Sequence, residues 1–373
     1  MISKRFMPAC AAALATLAFA ACGASNEDEP ESPATGGSTP AAEEAPELSG
    51  NLAGAGASSQ EAAMQAWIAG FQEANPDTTI SYDAVGSGGG REQFIAGGTA
   101  FGGTDSHLKE EELTGAQERC GGPDNLIEIP AYISPIAVIY NLEGVENLQL
   151  SPETLAKIFK QEIKTWDDAA IKADNPDATL PSDRITVVNR SDESGTTENF
   201  QEYLNAVAPD VWDFEVSGDW PVKGGEAAQG TSGVVDAVKA GKGAIGYADA
   251  SQAGDLGKAS VKVGEEFVAP TPEAAAKIVE ASEETDDPGA HVFTYELNRT
   301  TTEAGTYPIV LVSYLMACTK YDDAAQGALV KGFVNYIVSP EGQQAAATNA
   351  GSAPISDAVR AKVQPAVDAI AAN

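Results

Sequence analysis

Two α/β lobes facing one another across a cleft are the architecture this sequence predicts, on three observations. Two long β-branched apolar runs, 127–140 and 307–316, stand far apart in the chain, and the first carries Pro130 and Pro135. Prolines inside such a run suit an extended crossing between lobes better than one central strand. Strand-like and helix-like segments alternate between the two crossings, as layered α/β lobes require. A length of 373 residues is enough for two such units.

Residues 1–22 read as a targeting segment that stays out of the fold. Lys4 and Arg5 give it a positive start, 11–21 is a short apolar stretch of small residues, and it ends Phe19-Ala-Ala-Cys22-Gly. Small residues ahead of a cysteine resemble a bacterial lipoprotein signal, so Cys22 is the expected lipidation site and mature N-terminus. Phe19 stands where an aliphatic residue is commoner, which leaves ordinary secretion with a free Cys22 thiol open. Residues 23–48 are acidic and rich in Pro, Ser, Gly and Ala, with almost nothing to bury. They predict a disordered tether spanning roughly 25–30 Å on average.

From residue 50 onward, strands feed helices through turns that carry hydroxyl groups. The stretch 50–57 is a short strand, and Ser58-Ser-Gln-Glu61 reads as a capping box for a helix with Met64, Trp67, Ile68 and Phe71 on one face. That helix stops near Asn75-Pro76. A second strand, 78–85, meets Gly86-Ser-Gly-Gly-Gly-Arg91, a glycine loop that lets backbone approach a ligand, with a short helix from 92 to 96 after it. Arg91 reads as solvated surface. Phe101-Gly-Gly-Thr-Asp105 places a carboxylate at the next turn, either capping a helix from about 108 or facing the same space as the serines.

Beyond the first crossing, Ser151-Pro starts a helix with proline at its first position. Ile185-Thr-Val-Val188 is a buried strand that runs into Arg190-Ser-Asp-Glu-Ser-Gly-Thr-Thr197, after which Phe200, Tyr203, Leu204 and Val207 share a helical face. A strand, a polar turn and a helix start meeting at a guanidinium make an anion site: unpaired amides and the positive dipole end supply donors, and Arg190 supplies charge. The plain alternative is that Ser194 only caps a helix. Glycines 224–233 open a helix at 234–240, 243–247 returns as a strand, and 271–289 gives a helix and an acidic loop. Two C-terminal helices, 322–338 and 355–371, flank Ser339-Pro-Glu-Gly342.

Composition removes several classes of function. A net charge of −33 excludes nucleic acid as a partner, because no local basic patch outweighs that field. Two histidines and four cysteines make no multi-histidine metal centre, and no metal or cofactor is expected. No second apolar run reaches the roughly 20 residues a membrane helix needs. A serine hydrolase would need His107 or His291 as its base, yet Gly-x-Ser-x-Gly is broken by Asp192, and both histidines read as surface or loop residues. Cys120 and Cys318 are the two cysteines of the folded part; export favours a disulfide between them, and two buried thiols are the alternative.

The ordered stretches Gly54-Ala-Gly-Ala-Ser58, Val85-Gly-Ser-Gly-Gly89, Phe101-Gly-Gly-Thr-Asp105, Lys164-Thr-Trp-Asp-Asp168, Val188-Asn-Arg-Ser-Asp-Glu-Ser-Gly-Thr196, Gly243-Ala-Ile-Gly-Tyr247 and Tyr307-Pro-Ile resemble the phosphate-binding protein of bacterial Pst ABC transporters. The resemblance covers most of 50–350. It implies an α/β, two-lobe periplasmic-binding-protein-like fold of type II, with 49–131 and 308–373 forming lobe 1 and 132–307 lobe 2. It also implies that Ser58, Ser59, Ser87, Asp105, Arg190, Ser194, Gly195 and Thr196 hold inorganic phosphate, with Asp192 bracing Arg190. The implied partners are transmembrane permease subunits, for a lipid-anchored, extracytoplasmic, monomeric and non-catalytic protein. Ser59 stands where the family often has an aromatic residue. A binding protein for molybdate or sulfate is the alternative, and Asp105 separates the two: a carboxylate only accepts, so it repels an oxyanion unless that anion carries a proton, as phosphate does.

Overall fold

The computed structural model of the protein describes residues 48–285 and 289–371. The targeting segment, Cys22 and all of the tether before residue 48 therefore lie outside the described residues.

The fold hangs on the Leu126–Tyr140 strand, in which every residue is buried. Its first part, up to Pro135, pairs antiparallel with Val310–Cys318; from Ile136 onward its partner is Ala244–Asp249. One strand thus belongs to both halves of a ten-stranded sheet among the described residues. The two prolines sit where a missing N–H costs least. Pro130 lies beside a register shift between Ser313 and Tyr314, and Pro135 is the last residue before the strand changes partner.

On the outer side of Val310–Cys318 lies Phe101–Thr104, then Gly50–Gly56, then Thr78–Asp83, the last three mutually parallel. Beyond Ala244–Asp249 come Thr186–Arg190 and Glu226–Ala228, also parallel. Helices cover both sets, which gives the expected pair of α/β lobes joined by two crossings.

Several boundaries differ from the sequence reading, each for a packing reason. The glycine run is the first turn of a Ser87–Ile95 helix, not a loop before one. A Cβ on Gly90 would lie 2.3 Å from Gly56 Cα, so only a bare backbone lets this helix rest flush on the strand. The Gly230–Ala240 helix likewise starts inside its glycine-rich stretch. Ser339-Pro340 opens a helix, Pro340–Ala350, that the sequence reading took for a break. Ser339 accepts from the Gly342 amide at 3.0 Å, and proline at the first position loses no bond. Trp67 Nε1 pins that helix by donating to Gly342 O at 2.8 Å.

Cys120 and Cys318 are joined as a disulfide, with Cα atoms 5.3 Å apart, so the alternative of two free thiols falls. The bridge fastens the end of the Glu110–Cys120 helix to the end of the second crossing. Because it closes a loop of 198 residues, the chain-entropy argument puts its contribution at about 5 kcal/mol.

Candidate functional site

Four turns converge at the carboxyl ends of the parallel strands, where open α/β sheets present their loops. They follow Gly50–Gly56, Thr78–Asp83, Phe101–Thr104 and Thr186–Arg190. Ser58, Ser59, Ser87, Asp105, Arg190, Ser194, Gly195 and Thr196 are all buried there. The two lobes are in contact: a Cβ on Gly195 would lie 2.8 Å from Asp105 Cβ and 2.9 Å from Ser87 Oγ. Glycine is what allows the second lobe to press its helix start against the carboxylate.

Three serine hydroxyls share one arrangement. Ser58 Oγ accepts from the Thr231 amide at 3.0 Å, Ser87 Oγ from the Asp105 amide at 3.1 Å, and Ser194 Oγ from the Thr197 amide at 3.2 Å. A hydroxyl that already accepts keeps its single hydrogen to donate; Ser58 Oγ also stands 3.0 Å from Thr231 Oγ1, a contact that either hydroxyl can donate. The capping-box reading of Ser58 is therefore wrong. The residue before the Glu61–Ala74 helix is Gln60, with no side-chain cap, and Ser58 satisfies the start of the distant Gly230–Ala240 helix instead. Ser194 does cap its own helix, and doing so orients it as a donor. The amides of Ser58 and Ser59 and the first amides of the Ser87–Ile95 and Gly195–Val207 helices find no protein acceptor among the described residues, as expected of helix starts.

Arg190 is 3% exposed and is held as a fork. Its Nε donates to Asp192 Oδ1 at 2.8 Å and its Nη2 to Asp192 Oδ2 at 2.5 Å. Asp192 is fixed in turn by the Gly230 amide at 3.0 Å. Burial opposes ionisation of Asp192, yet the Arg190 hydrogen bonds and charge hold its carboxyl below the usual range. The Arg190 amide donates to Tyr247 Oη at 3.3 Å, and Tyr247 stacks on Phe200 with ring centroids 4.6 Å apart. An aromatic floor thus sets the height of the arginine.

Asp105 is the exception among donors. Ser59 Oγ approaches both its oxygens, at 2.6 and 2.8 Å; Thr196 Oγ1 donates to Oδ2 at 2.8 Å and Ser313 Oγ to Oδ1 at 2.6 Å. Asp105 does not cap the following helix, which starts only at Glu110. The Ser59 hydroxyl is accordingly spent on the carboxylate.

Arg91 corrects the reading of a solvated side chain. It is 4% exposed and bonds Glu112 at 2.8 Å, Glu193 at 2.7 Å, Thr104 Oγ1 at 3.0 Å and Ser106 Oγ at 3.2 Å. Glu193 comes from the arginine loop, so this ion pair ties two of the converging turns together. The sequence reading missed Thr231, Gln60 and Ser313, whose partners lie 173, 253 and 208 residues away. His107 is half-buried, with its pKa lowered by burial and by Lys109.

A family model described as a PBP superfamily domain matches residues 40–341. The phosphate-binding protein PstS 3 of Mycobacterium tuberculosis is 38% identical over 324 residues, covering 86% of each chain. The chain belongs to the PstS phosphate-binding proteins. The PstS of Xylella fastidiosa is 34% identical over 284 residues and 74% of each chain. Among solved structures, a high-affinity periplasmic phosphate-binding protein with bound phosphate superposes at a TM-score of 0.69, with 24% identity over 85% of this chain and 93% of the other. The fold is thus shared with that solved structure.

One further carboxyl belongs to the frame of this PstS protein. Asp249, fully buried at the partner switch opposite Ile136, accepts from Tyr132 Oη at 3.2 Å and from the Ser251 amide at 2.9 Å. The turn it starts carries Gln252, whose side chain donates to Ser58 O at 2.7 Å. Burial pushes Asp249 up to about 6, against the pull of its Ser251 hydrogen bonds. An acid raised in the folded state favours folding while protonated, so its contribution is full below the unfolded value and is lost as pH rises through about 6. Comparing wild type with Asp249→Asn by denaturant unfolding, we expect the stability difference to move by about 2 kcal/mol, against wild type, between pH 4 and 7. A pH-independent difference would mean that Asp249 titrates as an ordinary carboxylate.

Proposed function

We propose that this chain binds inorganic phosphate in the cleft and delivers it to the permease of a Pst-type ABC transporter. The observation that carries the reading is the inventory of groups at the converging turns: three buried serine hydroxyls that each accept from an amide, helix-start amides, one braced guanidinium and the carboxylate of Asp105. Such a set suits a tetrahedral oxyanion that still carries a proton. Sulfate and molybdate, the competing guests, have no hydrogen to give that carboxylate at neutral pH, and an unpaired buried acceptor costs about 1–3 kcal/mol or more. Ser58, Ser87, Ser194, the Ser59, Gly195 and Thr196 amides and Arg190 would hold the anion, with Asp192 as brace.

The lobes are taken as 49–131 with 308–373, and 132–307, hinged at the two crossings. We further infer an extracytoplasmic monomer held to the membrane through Cys22, on the signal-like stretch that ends Phe19-Ala-Ala-Cys22. It acts as a carrier, not a catalyst. Native mass spectrometry tests the ligand: the purified protein should carry one phosphate, lose it on dialysis, and regain it from an equimolar mixture with sulfate and molybdate. Uptake of sulfate or molybdate from that mixture would replace this reading.

A further inference from the structure

Behind Asp105 stand two buried residues that do not belong to the expected binding set. Gln60 precedes the Glu61–Ala74 helix, and Ser313 lies on the second crossing at its register shift. Gln60 Nε2 is 2.5 Å from Ser313 Oγ and 3.2 Å from the Tyr314 carbonyl oxygen. A carbonyl only accepts, so the amide nitrogen, and not its oxygen, must face this pair. Ser313 Oγ then accepts from Gln60, and its own hydrogen has two places to go. Asp105 Oδ1 is at 2.6 Å and Thr104 O at 3.3 Å; the shorter contact to a charged oxygen wins.

The direction of this chain allows the carboxylate's acceptor positions to be counted. Two oxygens offer about four of them. Ser313 and the nearer contact of Ser59 fill Oδ1, and Thr196 fills one position on Oδ2. One position remains, on Oδ2. We infer that Gln60 and Ser313 are positioning residues for anion selection: a one-way hydrogen-bond chain that saturates Oδ1 and leaves Asp105 a single acceptor for the proton of the guest. This rests on the reading of Asp105 as the group that accepts that proton.

The test is calorimetric titration of phosphate and of sulfate into Ser313→Ala, Gln60→Leu, Ser313→Thr and Asp105→Asn, with circular dichroism to verify folding. Ser313→Ala removes a charge-assisted bond and opens a second acceptor position. Its phosphate affinity should fall about 10- to 100-fold, sulfate should lose less, and the phosphate-over-sulfate ratio should drop at least about tenfold. Gln60→Leu, which leaves the hydroxyl free to turn, should move the ratio the same way by less. Ser313→Thr keeps the hydroxyl and should restore it. A merely structural role would weaken both anions alike. If Asp105→Asn shifts the ratio while Ser313→Ala and Gln60→Leu do not, the positioning role is overturned and the reading of Asp105 stands. If Asp105→Asn leaves the ratio unchanged, that reading fails and the positioning role goes with it.

Discussion

Arg190→Ala is expected to weaken phosphate binding by about 10²- to 10⁴-fold, the 3–5 kcal/mol typical of truncating one partner of a desolvated charge pair. Two losses add. The guest gives up the cation that Arg190 would supply, and Asp192 loses both bonds of its fork, at 2.8 and 2.5 Å. What remains of the Asp192 environment is the Gly230 amide, so the variant carries a poorly compensated negative charge beside an anion site. Arg190→Lys should land between the two, since an ammonium keeps the charge but cannot span both carboxylate oxygens while still facing a ligand. Isothermal titration reads both variants, and near-native affinity for Arg190→Ala would mean that the guest sits elsewhere.

The division of labour around Arg190 also explains how a chain of net charge −33 can hold an anion. General attraction works against it. Local donors must therefore do the binding, and most are neutral dipoles whose orientation is fixed by other bonds: each serine Oγ is turned outward by an amide that it accepts from. Arg190 itself is largely neutralised by Asp192. Fixed dipoles satisfy a dehydrated oxyanion without assembling a full positive charge, and they need no rearrangement when it arrives.

What could be read in the sequence was whatever is local. Ser87, Asp105 and Ser194 each follow a strand within a few residues and Arg190 ends one, and a strand–turn–helix junction announces itself in a dozen positions. Both crossings were legible because their β-branched runs are long, and their prolines fell where the ladder tolerates them. Partners that come from the far side of the cleft were not legible. Nothing near Ser58 points to Thr231, nothing near Arg91 points to Glu193, and Asp105 gives no hint of Ser313. Local propensity also lost to packing at Gly88 to Gly90, which read as a loop yet form the start of a helix: Gly90 lies against Gly56 and Gly88 against the Glu193 side chain, where an added Cβ would not fit. Secondary structure and the chemistry of each turn are short-range properties; satisfying a buried hydroxyl is a property of the closed fold.

Asp105→Asn is the second large effect, and it falls on selection more than on strength. The side chain keeps its shape, so Ser313 and Ser59 can still donate to the amide oxygen in the Oδ1 position, where they stand 2.6 Å from the carboxylate. The amide nitrogen takes the Oδ2 position, against Thr196, and presents a hydrogen where a lone pair stood. A guest O–H now meets a donor, whereas a bare oxyanion edge gains one. Phosphate should lose the bond to its proton, though it can turn an unprotonated oxygen toward the amide; sulfate should gain a donor where it had faced an unmatched lone pair. If each change is worth about 1–3 kcal/mol, the phosphate-over-sulfate ratio should collapse by about 10²-fold or more, with the phosphate affinity itself falling less. Removal of the carboxylate charge also takes repulsion away from both anions equally, so absolute affinities are poor witnesses and the ratio is the quantity to measure. Competition of the two anions for the same sites, read by titration at neutral pH, decides it: an unaltered ratio would mean that discrimination resides in the size of the cavity and not in the proton.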